Sequence, residues 1–269
     1  MMPVMNPEVN GPYVQSLARG LATIRAFGAG RPTMTLSGIA AATGLSRATA
    51  RRFLLTFEHL GYVRQTGREF ALTPKVLELG FSYLSGLEFD QAAEPHLEQL
   101  ARSLGESAWA TVLDGTDIVY VLCIPAFRPM RIVVTIGTRL PAYATSMGRL
   151  FLGQLEEEEL KQLLEGVERE ALTSNTLTDV ELIAKEVRQA REQGWAMNDQ
   201  ELEIGHRALS APVRRGGRIV GAISISSGVD TFASREETLA RYLEPLLATA
   251  GAISRDLEHL PRMNVEERI

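Results

Sequence analysis

Ser46, Arg47, Ala48, Thr49, Arg51 and Arg52 fall within seven consecutive positions at the head of one helical stretch, which Ser46 opens. Their chemistry is that of base recognition. Arginine pairs bidentately with guanine, and threonine or alanine can touch a thymine methyl. A single arginine there would be no more than a solvated helix face. A second group, Ser224, Ser226 and His206, holds the residue types of nucleophilic catalysis. No G-x-S-x-G surrounds either serine, no H-E-x-x-H is present, and the chain has four histidines in all. A serine hydrolase is therefore the distant reading, no enzyme is expected, and His206 reads as a surface or locally bonded residue.

The elements around the arginines give them their meaning. Ile39, Ala40 and Ala42 form the apolar face of a short helix, with Ser37 as its cap. Gly44 suits the left-handed turn that follows, and Leu45 points back inward. Ala50, Phe53, Leu54, Phe57 and Leu60 recur at helical spacing and form one inner stripe of the next helix. Gly61 ends that helix. Tyr62, Val63, Phe70 and Leu72 then suit a two-stranded hairpin turning near Gly67. A helix carrying Leu17, Leu21, Ile24 and Phe27 covers the other side of the small core. Short helix, turn, basic helix and hairpin make a winged helix-turn-helix, whose second helix enters the major groove head first. Arg64 and Arg68 on the wing would meet the sugar-phosphate backbone. Arg19 on the first helix is either a phosphate contact or a surface arginine. A wing used for protein contact rather than DNA is the competing use of the same unit.

Charge supports the DNA reading once the chain is divided. The whole chain of 269 residues has a net charge of −5. Residues 1–85 hold nine basic and four acidic side chains, a balance of +5, and the remainder stands at −10. Positive charge is gathered on the segment with the DNA-binding pattern. The one cysteine, Cys123, lies in an apolar run and reads as a buried structural thiol. No apolar run approaches the roughly 18 residues of a membrane span, and no signal peptide is visible. A cytoplasmic protein without cofactor or metal site is expected.

The length suggests two domains. Residues 1–12 read as a loose arm, 13–74 as the DNA-binding domain, 75–88 as an apolar linker helix, 89–260 as a second domain and 261–269 as a tail. The linker helix is too apolar to stand in solvent and is expected to pack on the other domain or on a second subunit. In the second domain, a helix carries Ala93, Leu97, Leu100, Ala101 and Leu104 on its inner face. Strands are expected at Trp109 to Leu113, Ile118 to Ile124, Arg131 to Ile136, Ala208 to Val213 and Ile219 to Ser226. Helices are expected over Ala144 to Leu155, from a Thr178/Glu181 capping box, and after Ser234. The Thr178 helix would bury Leu182, Ile183, Val187 and Ala190. The last would bury Leu239, Tyr242, Leu243, Leu246, Leu247, Ala250 and Ile253. Hairpins flanked by helices predict an α+β domain on an antiparallel sheet.

The segments SLARGLATIRAF (16–27), GLSRATARRFLLTFEHLGYV (44–63), RLPAYATSMGRLFL (139–152), DQELEIGHRALSAPV (199–213) and VGAISIS (220–226) carry a resemblance to the IclR-type bacterial transcriptional regulators. It spans roughly Val14 to Leu257. PAYATSMGR and NDQELE resemble the branch that regulates catabolism of aromatic acids through protocatechuate and β-ketoadipate. The resemblance implies a winged helix-turn-helix joined by a linker helix to a GAF-like effector domain. It implies a homodimer or dimer of dimers on double-stranded operator DNA, and a small organic acid as effector.

By the same resemblance, the effector pocket is lined by Tyr143, Ala144, Thr145 and Met147, with Gly148 allowing close backbone approach. A free helix N-terminus there would suit a carboxylate. Asp199 and Glu201 map to the pocket or to a solvated loop. Ser224 and Ser226 map to it or to ordinary strand positions. Arg128 and Arg131 are either carboxylate partners or surface arginines. Many family members carry cysteine where Ala208 stands. With Tyr143 and Met147, that departure favours a roomier pocket suited to an aromatic or β-keto acid over glyoxylate or pyruvate.

Overall fold

The computed structural model describes residues 13–28, 30–84, 86, 88–126, 134–229 and 234–260. The chain forms two compact units, Met1–Ser85 and Gly86–Ile269.

In the first unit, helix α1 spans Gln15–Arg25, strand β1 Thr33–Thr35, helix α2 Leu36–Thr43 and helix α3 Arg47–His59. The hairpin is β2 (Val63–Thr66) and β3 (Glu69–Leu72). It belongs to a three-stranded sheet rather than a two-stranded wing, with β3 at the centre, because β1 pairs along β3 with Met34 opposite Phe70. Both side chains are buried in the small core with Ile39, Ala50, Leu54 and Val63. The cap of α2 is Thr35, whose hydroxyl accepts from the Gly38 amide, and not Ser37. Gly44 takes φ 67° and turns the chain between α2 and α3.

Several expected core positions lie elsewhere. On α1 the buried residues are Gly20 and Thr23, while Leu17 and Leu21 are 62% and 49% exposed. The cause is the Phe53 and Phe57 rings, which lie against Gly20. The helix therefore presents its smallest face to them. Ala42 and Leu60 are also exposed; Leu60 follows the last helical residue of α3 and leaves the stripe. After a 3-10 turn at Pro74–Val76, helix α4 covers Leu77–Leu84. Its Leu77, Leu79, Phe81 and Tyr83 are all more than half exposed in the single chain.

The second unit runs α5 (Glu88–Leu104), β4 (Ser107–Asp114), β5 (Asp117–Ile124), β6 (Arg139–Pro141), α6 (Ser146–Leu152), α7 (Glu157–Glu165), α8 (Val180–Gln193), β7 (Ala196–Asp199), β8 (His206–Arg215), β9 (Arg218–Gly228) and α9 (Arg235–His259). The strands form one antiparallel sheet in the order β6-β5-β4-β9-β8-β7. Side chains alternate between its faces. Trp109, Ile118, Tyr120 and Ala222 pack with residues of α6, α7 and α8. The intervening residues, including Ile223 and Ile225, turn to the opposite face, where α5 and α9 lie against the strands.

The strand expected over Arg131 to Ile136 begins in residues outside those described, and Val134 to Ile136 are not extended in the sheet. The strand stands at Arg139–Pro141, where the Arg139 guanidinium bonds Asp114 and Asp117 across the hairpin end. Neither β7 nor α7 was anticipated. The cap of α8 is Asp179, which accepts from the Leu182 amide, so the helix begins one residue later than a Thr178 box would give. Its buried side is Ile183, Ala184, Val187 and Ala190, with Leu182 half exposed. On α9, Thr238 and Leu257 are buried, while Leu247 is 38% exposed. The long helix expected over Ala144 to Leu155 is a 3-10 turn at Ala142–Ala144 followed by the seven residues of α6.

Gly148 on α6 lies close against the backbone of Ala142. A Cβ there would sit 2.1 Å from the Ala142 carbonyl oxygen. No flexible side chain can yield, so the backbone itself would have to move. Gly148→Ala is expected to destabilise the protein by about 1–3 kcal/mol in urea unfolding. Gly251→Ala is the control: a Cβ there meets nothing nearer than 3.5 Å. It lies within α9, where alanine should stabilise by about 0.5–1 kcal/mol.

Candidate DNA-reading helix and effector pocket

The head of α3 is open. Ser46, Arg47, Ala48, Arg51 and Arg52 are exposed and Thr49 is half-buried. Ser46 accepts from the Thr49 amide at 3.2 Å, and the two hydroxyls lie 2.9 Å apart. Both are thus engaged in starting the helix, leaving the arginines and Ala48 to project. Arg64 and Arg68 are exposed on the wing, and Arg19 is half-buried on α1. No ion pair to a carboxylate occupies any of these arginines among the described residues. Their charge is available to an anionic partner.

In the second unit, a crevice opens between α6 and the face of the sheet that carries Trp109 and Tyr120. It is lined by Trp109, Tyr120, Val134, Leu140, Thr145, Ser146, Met147, Asn198, Leu202, His206, Ala208, Ser224 and Ser226. Of the residues expected there, Thr145, Met147, Ala208, Ser224 and Ser226 are brought together. Ala208 and Ser226 stand opposite one another on β8 and β9, and Ser224 stands opposite Trp109 on β9 and β4. Arg128 and Arg131 lie outside the described residues.

The other expected residues build the wall and do not line it. Tyr143 is buried and donates from its hydroxyl to the Glu170 carbonyl at 2.9 Å. Ala144 accepts from Asn198 Nδ2 at 2.6 Å through its carbonyl. Gly148 packs on Ala142. The start of α6 is not free, because Thr145 Oγ1 already accepts from the Gly148 amide. Asp199 is paired with Arg207 at 3.0 Å. Glu201 takes the Arg149 guanidinium in two bonds of 2.7 and 2.5 Å. The segment around Asp199 contributes Asn198 and Leu202 to the crevice instead.

Sequence reasoning missed Trp109, Tyr120, Ser146, Asn198, Leu202 and the lining role of His206. His206 Nε2 lies 2.8 Å from Ser226 Oγ. Burial pushes its imidazole down to about 4, so it is neutral at neutral pH. Ser146 and Ser210 share a hydroxyl–hydroxyl bond of 2.7 Å at the base of α6. Ser224 donates to the Leu209 carbonyl at 3.1 Å. Cys123, opposite Trp109 on β5, is half-buried; burial raises its thiol to about 11, which keeps it unreactive.

The cavity has a volume of about 30 Å³, room for roughly one water. That is narrower than the Ala208 argument implies. Trp109, Tyr120, Met147 and Leu202 stand with Ala208 among the residues that line it. The turn carrying Leu202 is itself tense: Gln200 has φ 62°, the one non-glycine residue so placed among those described. It is held by Gln200 N–H to the His206 carbonyl at 2.8 Å and by the Gly205 amide to Gln200 Oε1 at 3.1 Å.

Among the described residues, no cluster of ligating side chains could hold a metal ion, and no helix is long and apolar enough to cross a membrane. The Arg149–Glu201 pair, with side chains 1% and 8% exposed, is the largest electrostatic commitment beneath the pocket. Arg149→Ala strands a buried carboxylate and should cost about 3–5 kcal/mol. Replacing both partners by methionine should recover most of that loss in the same urea titration.

Residues 16–67 match the IclR helix-turn-helix domain and residues 81–255 match the C-terminal domain of bacterial IclR transcriptional regulators. The Pca regulon regulatory protein of Pseudomonas putida is 39% identical over 249 residues, covering 92% of this chain and 84% of that protein. A solved structure from Rhodococcus sp. RHA1, described as a transcriptional regulator, is 48% identical with a TM-score of 0.82, over 91% of this chain and 98% of that one. The IclR homologue of Microbacterium hydrocarbonoxydans, solved with 4-hydroxybenzoate, shares the fold at a TM-score of 0.80 and 22% identity, over 91% of this chain and 100% of that one. These relatives and families are transcriptional regulators rather than enzymes. The chain belongs to the IclR family of bacterial transcriptional regulators.

Proposed function

We propose that this regulator acts in the cytoplasm as a homodimer or dimer of dimers on operator DNA, and that a small aromatic or β-keto acid in the α6–sheet crevice sets its activity. The observation that carries the effector assignment is the composition of the crevice. Trp109, Tyr120, Leu140, Met147 and Leu202 offer apolar and aromatic surface, while Ser146, Asn198, His206 and Ser226 place polar groups among them. Apolar walls with a few polar groups are what a flat, substituted ring requires. The 4-hydroxybenzoate bound by the Microbacterium relative and the name of the Pseudomonas relative point the same way. The exposed apolar row of α4, with Leu17 and Leu21 on α1, supports self-association.

Arg51 and Arg52 are assigned to base edges, with Arg47, Ala48 and Thr49 beside them at the helix head. Arg64 and Arg68, and Arg19, are assigned to phosphates. Arg51→Ala or Arg52→Ala should weaken operator binding by about 1–3 kcal/mol and relax specificity. Arg64→Ala should weaken all sequences alike and reduce the salt dependence by roughly one phosphate contact. Fluorescence anisotropy with operator and random duplexes at two salt concentrations separates the two outcomes. Unchanged DNA affinity in the Arg51 and Arg52 variants would make the unit a protein-contact wing.

Calorimetric titration with protocatechuate, 4-hydroxybenzoate, β-ketoadipate, pyruvate and glyoxylate tests the effector. Saturable binding of an aromatic acid or β-ketoadipate is expected, weakened by a Ser224→Ala/Ser226→Ala double replacement. Binding of pyruvate or glyoxylate alone would replace the effector class and keep the regulator.

A further inference from the structure

The crevice has a mismatch with the ligand class just assigned. The described residues that line it include no lysine and no arginine. A carboxylate entering it would leave water without a lysine or arginine among those residues to meet it, which is costly unless a charge is supplied. Two lining groups can titrate, the Tyr120 phenol and the His206 imidazole. Burial drives the phenol upward, away from ionisation, and a phenol cannot become a cation in any case. The imidazole can.

The surroundings of His206 leave that option open. Its neighbours across β9 are Ser226 and Gly228, both uncharged. On β7 the nearest acid, Asp199, is held by Arg207. In the following turn, Glu201 is held by Arg149, and Glu203 meets His206 through its backbone carbonyl, 3.2 Å from the His206 amide nitrogen. From the α6 side, Thr145, Ser146 and Met147 bring no charge. Beyond the far edge of the crevice, Arg139 is taken by Asp114 and Asp117. Thus no carboxylate among the described residues bonds the ring, and Nε2 reaches the crevice wall at Ser226 Oγ, 2.8 Å away.

We propose that His206 reads the acid group of the effector: the carboxylate accepts from Nε2–H, and the ring takes one proton from solvent as the complex forms. The ring is then an imidazolium paired with the anion, and Ser226 Oγ is released to a second oxygen of the ligand. The inference rests on the effector reading above and adds its charge state and its pH dependence. Because free His206 is neutral at neutral pH, binding must take up a proton there. Affinity therefore falls as pH rises, approaching tenfold per pH unit for one proton.

The test is calorimetric titration of the full-length protein with 4-hydroxybenzoate and with protocatechuate, in buffers of different ionisation enthalpy, from pH 6 to 8. The expected result is uptake of close to one proton per site at pH 7 and a fall in affinity of up to tenfold per unit. The uncharged 4-hydroxybenzamide should bind with no uptake. His206→Gln, with its fold checked by circular dichroism and thermal melting, should bind the acids more weakly and without uptake or pH slope. Ser226→Ala retains the imidazole and should retain the uptake, which keeps the idea testable should the glutamine variant not fold. Acid binding without proton uptake, or uptake that survives in His206→Gln, overturns the role of His206 and leaves the effector reading standing. Failure of both aromatic acids and of β-ketoadipate to bind in the same titration overturns the two together.

Discussion

The buried pair between Arg149 and Glu201 is the constraint on which the second unit depends. Arg149 belongs to α6 and also donates from Nε to the Tyr143 carbonyl. Glu201 belongs to the turn after β7, and its own carbonyl accepts from Thr176 Oγ1 at 2.6 Å. Asn198 closes the loop, accepting from the Glu201 amide and donating to the Ala144 carbonyl. Three segments far apart in sequence are thereby fixed to one another by charge-assisted and neutral hydrogen bonds. The crevice lies beside that junction. Its lining residues Thr145, Met147, Asn198 and Leu202 all neighbour members of the network in sequence, so their positions are inherited from it.

The same junction explains why acidic residues expected at the ligand are not there. Asp199 and Glu201 sit in a motif that resembles the family's pocket segment, and the segment does approach the pocket. A strand alternates its side chains, however. Asn198 faces α6 and the crevice, while its neighbour Asp199 turns toward Arg207. Asn198 thus stands among the residues that line the crevice and Asp199 does not.

Legibility followed locality. The helix-turn-helix could be read because its signals lie within some thirty residues: a serine at Ser46 that opens the second helix, a left-handed glycine at Gly44, and a stripe at Ala50, Leu54 and Phe57. The third strand of the wing could not, because three residues at Thr33–Thr35 acquire strand character only by pairing with β3. The α6 to α9 order was partly readable from caps such as Ser234. Trp109 and Tyr120 were hidden for another reason. Strands β4 and β5 are largely buried on both faces, so apolar residues run without alternation and nothing local marks which side faces a ligand. His206 looked like a surface residue because its apolar surroundings come from β9, from the Leu202 turn and from across the sheet.

The contact between Gly148 and the Ala142 backbone gives the crevice one stiff side. Backbone against backbone has no rotamer to change, and the Arg149–Glu201 lock sits one residue away. Of the side chains that line it, Met147 on α6 is unbranched and pliable, while Leu202 stands beside the tied Glu201 on a turn with Gln200 at positive φ. Rotation of the Met147 side chain is therefore the adjustment open to the crevice that leaves both the α6 backbone and the Arg149–Glu201 pair in place. Such compliance is directional. It lies along the thioether side chain of Met147 and not along the backbone that carries it.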